Sequence, residues 1–297
     1  PRDDKVSIPQ QKISELVIKY KLEPSLVDIY VEGEFDKKLL TWFIKESGIK
    51  QDIRIITPDA IDVPDSLLRT RSLNLNSNRS KVIAIAKELY IKVPEAKILC
   101  IADKDYDEYL PHPNYSEGNL IFTDYNSMDL YWLNDKVWNK IMILSFGYSS
   151  EKSSLIFNSL LEISTNIFLM RLVNESLKLG LTLKEFCKSK YINIDNLEFD
   201  IEKYLRARLT SAGKISQYTV FRSEMGYLRS KLKTTPQSIV RGHDFFEILH
   251  YYLQKTKNHI KIVDHNSFQV AFMGCIELQD LKNNNLFDRI LNFANQS

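Results

Sequence analysis

Ala96-Lys97-Ile98-Leu99-Cys100-Ile101-Ala102-Asp103-Lys104-Asp105 is a nearly continuous apolar run that stops on two acids. A strand that is apolar on both faces belongs in a sheet covered by helices on both sides, which is the habit of parallel sheets. Leu26 to Val31 reads the same way: it is rich in β-branched and aromatic residues and stops at Glu32-Gly33. Ile53 to Thr57, stopped by Pro58, and Asn119 to Thr123 complete a set of four strands.

Helical patterns lie around and between them. Pro9 to Tyr20 carries Ile13, Leu16, Val17 and Tyr20 on one face, with Pro9 suited to the first helical position. Phe35 to Glu46 turns Leu39, Trp42 and Phe43 inward, and Lys81 to Leu89 does so with Val82, Ile85, Ala86 and Leu89. A further helix holds Met128, Leu130, Tyr131 and Leu133, while Pro64 to Ser80 reads as a long polar loop with room for one helical turn. Strands alternating with helices predict a parallel α/β sheet with its strand carboxyl ends on one edge. From Asn134 onward the pattern turns helical: Ser153 to Leu177, Leu183 to Ser189, Ile201 to Thr210 and Asp244 to Lys255. The expected organisation is an α/β domain over 1–133 with its N-terminal helix and a helical region over 134–297, packed together without a flexible linker.

The chain has 297 residues and is 44% hydrophobic, which excludes wholesale disorder. Its continuous apolar runs are too short to span a bilayer, and Pro1 to Lys5 is charged, without the apolar core of a secretory signal. Cys100, Cys187 and Cys275 form no close pair, so neither a zinc site nor a disulfide framework is indicated and a reducing cytoplasm is expected. No phosphate-cradling loop of the Gly-x-x-x-x-Gly-Lys-Ser/Thr kind is present, so any ATP dependence would have to come from a partner.

The net charge is only +2, but its distribution is uneven. From Lys203 to Arg241 the bases are Lys203, Arg206, Arg208, Lys214, Arg222, Arg229, Lys231, Lys233 and Arg241, against the single acid Glu224. Tyr204, Tyr218, Phe221 and Tyr227 are interleaved with them. Cations among aromatics suit phosphate backbones and stacked bases, and they also suit a solvated helical face above an ordinary core.

The chemistry-bearing residues gather at strand ends. Glu32 follows the first strand, and Asp103 and Asp105 follow the third. Ligands of open parallel sheets bind outside the carboxyl ends of the strands, so these acids are expected to converge there. Hard oxygen donors of this kind take Mg²⁺ or Mn²⁺, usually with water and substrate phosphate completing the shell. Gly33 is expected to allow close backbone approach behind Glu32. Asp129 is a candidate fourth ligand or a helix cap, and Asp124 reaches the same edge. Lys104 is a candidate for neutralising phosphate charge, and His243, in Arg241-Gly242-His243-Asp244, for general acid–base work. The other histidines, His112, His250, His259 and His265, show no metal-ligand spacing.

Competing readings of Asp103-Lys104-Asp105-Tyr106-Asp107 are weaker. A calcium loop fails because Glu108 replaces the turn glycine and Asn114 stands at the bidentate position. An aspartyl phosphatase needs its acid pair after the first strand. A nucleotide-sugar transferase also uses a metal-binding acid pair, but it has no need of Glu32.

Val31-Glu32-Gly33-Glu34-Phe35-Asp36, Ile101-Ala102-Asp103-Lys104-Asp105 and Thr123-Asp124-Tyr125-Asn126-Ser127-Met128-Asp129 together resemble the TOPRIM-like family shared with the overcoming-lysogenization-defect nucleases. Gly242-His243-Asp244 and the helical second half are similar to the AriB group, the effector subunits of PARIS anti-phage systems. The resemblance implies Glu32 as the family's catalytic acid and Asp103 with Asp105 as its metal pair. It also implies an AriA-like ATPase sensor that holds the effector silent, a homodimer when active, and tRNA as the target. Family members often carry Glu where this chain has Asp129. Two alternatives stay open: a DNA nuclease of the overcoming-lysogenization-defect type, and a non-catalytic TOPRIM subunit that binds an ATPase.

Overall fold

The computed structural model describes residues 10–115, 117–257 and 265–296. In chain order its main elements are α1 (Ile13–Leu22), β1 (Val27–Tyr30), α2 (Glu34–Glu46), β2 (Ile53–Ile56), α3 (Asn78–Lys92), β3 (Lys97–Ala102) and β4 (Leu120–Phe122). They continue with α4 (Ser150–Ser176), α5 (Ile201–Ser211), α6 (Tyr218–Arg229), α7 (Gly242–Thr256) and α8 (Asn285–Gln296). The protein is a mixed α/β structure with parallel sheets flanked by helices and a helical C-terminal region.

The chain forms two compact units that interleave along the sequence. The first comprises Pro1–Lys104, Pro113–Asp124 and Glu277–Ser297, and the second Asp105–His112 and Tyr125–Ile276.

The first unit is built on a four-stranded parallel sheet in the order β2-β1-β3-β4. The path from β1 to β2 steps one way, and the path from β2 to β3 crosses back over β1. Right-handed crossovers in opposite directions place α2 and α3 on opposite faces. On the α3 face, Ile13, Leu16 and Tyr20 of α1 and Val82 to Ala86 of α3 pack with Tyr30, Ile98, Cys100 and Ala102. By strand alternation Ile29, Leu99, Ile101 and Ile121 point to the other face. There α2 buries Leu39, Leu40 and Phe43, and Phe43 meets Phe287 of α8 at 4.7 Å between ring centroids. Each such fully buried side chain contributes about 1.5–3 kcal/mol.

One buried acid sits inside this core. Asp28 accepts two hydrogen bonds from Arg54, at 2.7 and 2.6 Å, and a third from the Tyr20 hydroxyl, which lies 2.6 Å from that of Tyr30.

The second unit centres on α4, which has 27 residues and is long and apolar enough, by length and composition, to cross a membrane. Its Phe168, Leu169, Leu172 and Val173 are fully buried, and α6 and α7 pack against it. Trp132 meets Phe245 and Phe272 edge-on and Phe246 at a tilt, with ring centroids 5.7, 4.5 and 4.6 Å away.

Several expectations are corrected. The opening helix starts at Ile13, because Gln11–Lys12 first pairs in parallel with Ile61–Asp62. Pro9, Pro1 to Lys5 and His259 lie outside the described residues. Asn78 to Ser80 belongs to α3, whose N-cap Ser77 accepts from the Ser80 amide at 3.3 Å; the helical turn expected within the loop is the short helix Asp65–Thr70. The segment Leu183 to Ser189 is not helical. Arg171 and Tyr204 take the carbonyls of Leu183 and Lys184, which a helix would have used itself, and Glu185 is left-handed. Met128–Leu130 is a single 3-10 turn rather than a longer helix.

Candidate metal and phosphodiester site

The order β2-β1-β3-β4 has its reversal point between β1 and β3, where crossovers leave in opposite directions. A crevice opens outside the carboxyl ends of two such strands. Glu32 follows one of them and Asp103 the other.

The three acids of Val31-Glu32-Gly33-Glu34-Phe35-Asp36 divide their tasks. Asp36 caps α2 by accepting the Gly33 amide at 3.0 Å, and Glu34 is exposed. Glu32 turns to the neighbouring strand, where its Oε1 accepts the Asp103 amide at 2.7 Å. Gly33 has an extended backbone, and a Cβ there would meet nothing within 4 Å, so it does not serve the close approach expected of it.

The first turn of α3 braces both strand ends. Asn78 Nδ2 donates to the Glu32 carbonyl at 2.9 Å, and Arg79 Nε donates to the Asp103 carbonyl at 2.7 Å. Neither residue stands out in the sequence; Ser77 as an N-cap just ahead of an amphipathic run is the signal for them. Lys104 is anchored on β4's exit. Its amide donates to Thr123 Oγ1 at 3.0 Å and its Nζ to the Asp124 carbonyl at 2.7 Å. Asp124 in turn accepts the Leu286 amide at 3.0 Å and so caps α8.

Asp105 and Asp129 belong to the second unit. Asp105 is left-handed, with φ +50°, and its amide donates to the Asn126 carbonyl at 2.8 Å. Asn126, itself buried, donates its Nδ2 to the Val240 carbonyl at 2.9 Å. The Asp129 carboxylate accepts from Ser127 Oγ, and from Gln269 Nε2 at 3.1 Å. It lies against Gly242, the first residue of α7: a Cβ at Gly242 would overlap it, with even the farther oxygen at 2.5 Å. A helix amino end favours a carboxylate, so Asp129 takes a helix-terminus role from outside the helix.

Asp244 does not cap α7. It is buried, and it accepts from Arg171 Nε and Nη2 at 2.7 and 2.8 Å. Burial opposes the charge on Arg241, but Tyr106, Asp244, Asp105 and Asp129 outweigh it and hold its pKa above the ordinary guanidinium value. Arg241 therefore acts inside this acidic cluster. His243 is exposed on the first turn of α7.

The other basic residues of 203–241 lie on α5, on α6 and in the loops beside them. Arg222 pairs with Glu202 at 3.0 Å, Lys233 pairs with Glu108, Lys214 donates to the Leu179 carbonyl and Arg229 to Asn166. Arg206 and Lys231 lie over Tyr218 and Tyr227, at 3.9 and 4.0 Å, Arg208 lies over Tyr204 at 5.3 Å, and Lys203 is exposed.

Among the described residues, no three His, Cys, Asp or Glu side chains are grouped as ligands for one ion. The donor chemistry at the β1–β3 edge is nevertheless that of a hard cation, since Glu32 and Asp103 offer only oxygen. Mg²⁺ takes one or two carboxylates and fills its shell with water and phosphate. No protein-family model and no curated protein matches the chain.

Proposed function

We propose that the chain is a metal-dependent nuclease of TOPRIM type that hydrolyses phosphodiester bonds, with RNA, tRNA in particular, as its substrate. The observation that carries this reading is the 2.7 Å hydrogen bond joining Glu32 to the Asp103 amide at the reversal point of the sheet. An acid at each of these two strand exits supplies the hard oxygen donors that a divalent cation takes, usually with water and phosphate.

Glu32 and Asp103 would hold Mg²⁺ or Mn²⁺, and Asp105, two residues along the chain, is the next ligand to test. The chemistry such an ion supplies is positive charge that stabilises the departing oxygen and makes water a better nucleophile. The chain's own residues do the positioning. Asp103 fixes Glu32 through its amide, and Asn78 and Arg79 fix the two backbone segments that carry them. Lys104 adds a positive charge for the phosphate. The exposed bases of α5 and α6 and of the turn after α6 are the proposed backbone contacts, with Lys203, Arg206 and Lys231 foremost. The resemblance further suggests an ATPase sensor as partner, a dimer as the active form and growth arrest as the outcome.

The test incubates the purified protein with total tRNA, single-stranded RNA and duplex DNA in Mg²⁺, Mn²⁺ or EDTA, beside Glu32→Gln. Cleavage of RNA that EDTA and Glu32→Gln both abolish is expected. Cleavage of duplex DNA alone would turn the reading to a DNA nuclease. Cleavage surviving in Glu32→Gln would overturn the site, and inactivity even with the ATPase and its trigger present would leave a binding subunit.

A further inference from the structure

The non-helical loop that ends at Tyr191 lies against α5 in the second unit, and two buried donors are left over beside it. The Tyr191 hydroxyl and the Arg208 Nε are both shut off from solvent, and neither has a hydrogen-bond partner among the described residues. A buried donor without an acceptor carries its whole desolvation cost.

The fold brings the two together. Tyr191 is fixed by its backbone: its amide donates to the Lys188 carbonyl and its carbonyl accepts the Asp200 amide, both at 2.8 Å. Asp200 also caps α5, where its Oδ1 accepts the Lys203 amide at 2.9 Å. The rings of Tyr191 and Tyr204 meet edge-on with centroids 5.1 Å apart, and Arg208, one turn after Tyr204, lies 5.3 Å from the Tyr204 centroid. From the loop side the Lys190 ammonium lies 4.6 Å from the Tyr191 centroid. Lys190 is exposed, Arg208 half-buried and Tyr191 buried beneath them.

Burial pushes the Tyr191 pKa up, but Lys190 and Arg208 outweigh it and hold it below the ordinary tyrosine value. No acid acts on that hydroxyl as strongly as these two bases do. Glu185, on the same loop, is bonded to Lys188 at 2.9 Å. Ammonium and guanidinium groups only donate, so neither can accept the phenol proton. The cluster therefore presents three kinds of donor, and what it lacks is an acceptor.

We infer that Lys190, Tyr191 and Arg208 form a phosphate site, with the ammonium and the guanidinium edge meeting the oxygens and the phenol donating beneath them. An edge made of Nε and one terminal nitrogen is a fork that fits two oxygens of one phosphate. Moving the exposed Lys190 head from the ring to the anion would uncover the hydroxyl. A nucleic-acid backbone and free inorganic phosphate offer the same chemistry, and the exposed Lys203 and Arg206 on the same helix favour the strand. The site stands without the nuclease reading, since binding needs no cleavage.

The experiment compares wild type, Arg208→Gln, Arg208→Lys, Lys190→Gln and Tyr191→Phe with two probes. Inorganic phosphate is scored by the shift in melting temperature against sodium chloride of equal ionic strength. A fluorescein-labelled single-stranded RNA octamer is scored by fluorescence polarisation in EDTA across a salt series, with an acidic octapeptide beside it. RNA binding is expected to weaken about tenfold in Arg208→Gln and in Lys190→Gln, each with a salt slope shallower by about 0.7, the share of one phosphate. Tyr191→Phe is expected to weaken it about threefold with the slope unchanged, because it removes a donor and no charge. Arg208→Lys should keep the slope and still lose affinity, because a point charge does not reproduce the fork. A phosphate-induced shift that these variants lose, with RNA binding intact, keeps the site and makes free phosphate its ligand. The site is overturned if wild type responds to neither probe, if Arg208→Gln and Lys190→Gln change neither response, or if the octapeptide loses affinity in step with the RNA. Melts without ligand are the folding control, and Lys190→Gln, at an exposed position, carries the test should Arg208→Gln fail to fold. Every readout is metal-free binding, so loss of the site leaves the Glu32 reading standing, and absence of cleavage leaves the site standing.

Discussion

Asp28 lies inside β1 and Glu32 two residues beyond its carboxyl end, and their surroundings differ in kind. Asp28 is fully buried, and each of its oxygens is answered by a strong donor from Arg54 or Tyr20. Burial, with Tyr30 and Asp28 alongside, pushes the Tyr20 hydroxyl far above its ordinary pKa, so it stays a donor. Glu32 accepts a neutral backbone amide and shares its edge with Asp103. A buried ion pair of the first kind is costly to break, whereas a partly buried acid on a backbone amide keeps its second oxygen for another partner. Within four residues the chain thus carries an acid that fastens the fold from inside β1 and one that links the exit of β1 to the exit of β3.

Substitutions at the two acids test that contrast most directly. Glu32→Gln keeps an oxygen for the Asp103 amide and removes only the charge. Cleavage is expected to fall by about 10² to 10⁴-fold while the melting temperature stays close to wild type. A comparable loss of stability would make Glu32 a structural acid like Asp28 and break the comparison. Asp28→Asn should invert the pattern, losing about 2–3 kcal/mol in denaturant midpoint with activity per folded molecule retained. The figure is at the low end because the Arg54 side chain keeps 37% of its surface in water.

The second unit offers a sharper version through sterics. Gly242→Ala should cost about 1–3 kcal/mol, because its methyl overlaps the Asp129 carboxylate. Adding Asp129→Ala should recover part of that cost, and strict additivity in the double-mutant cycle would show that the two residues do not meet. The smallest effect is expected at Glu88. Burial pushes its pKa up, but Lys92 and Arg71 pull harder and leave it below the ordinary carboxylate value. Its stabilisation, about 1 kcal/mol, is therefore present above the unfolded value of about 4.3 and lost as pH falls through the folded one. Melting curves of Glu88→Gln and wild type should converge near pH 3; a gap that persisted there would sink the assignment.

Much of the first unit was legible in the sequence because parallel strands bury both faces and so stand out as apolar runs. Lys97–Ala102 and Val27–Tyr30 lie inside the segments expected for them, and both end beside the acids that drew attention. The Asn78–Arg79 brace was hidden because a polar helix start looks like a loop until its cap is recognised. The failed helix at Leu183–Ser189 has apolar spacing, and no local pattern reveals that Arg171 and Tyr204 will take its carbonyls. Arg241 was read among the phosphate-seeking bases, yet its neighbours are Asp105, Asp129 and Asp244, all distant in sequence except the last. Nor did spacing suggest that Lys190 and Arg208 would flank Tyr191.

The ring contact between Phe43 and Phe287 carries a consequence for biosynthesis. A chain emerging from the ribosome presents α2 well before α8, so the first unit stays without one of its coverings until everything between the two helices has been made. The amide that Asp124 accepts arrives on that same late helix. The α2 face of the first unit is therefore completed only after the helices of the second unit have been made, so an early segment of this chain waits on a distant one for its cover.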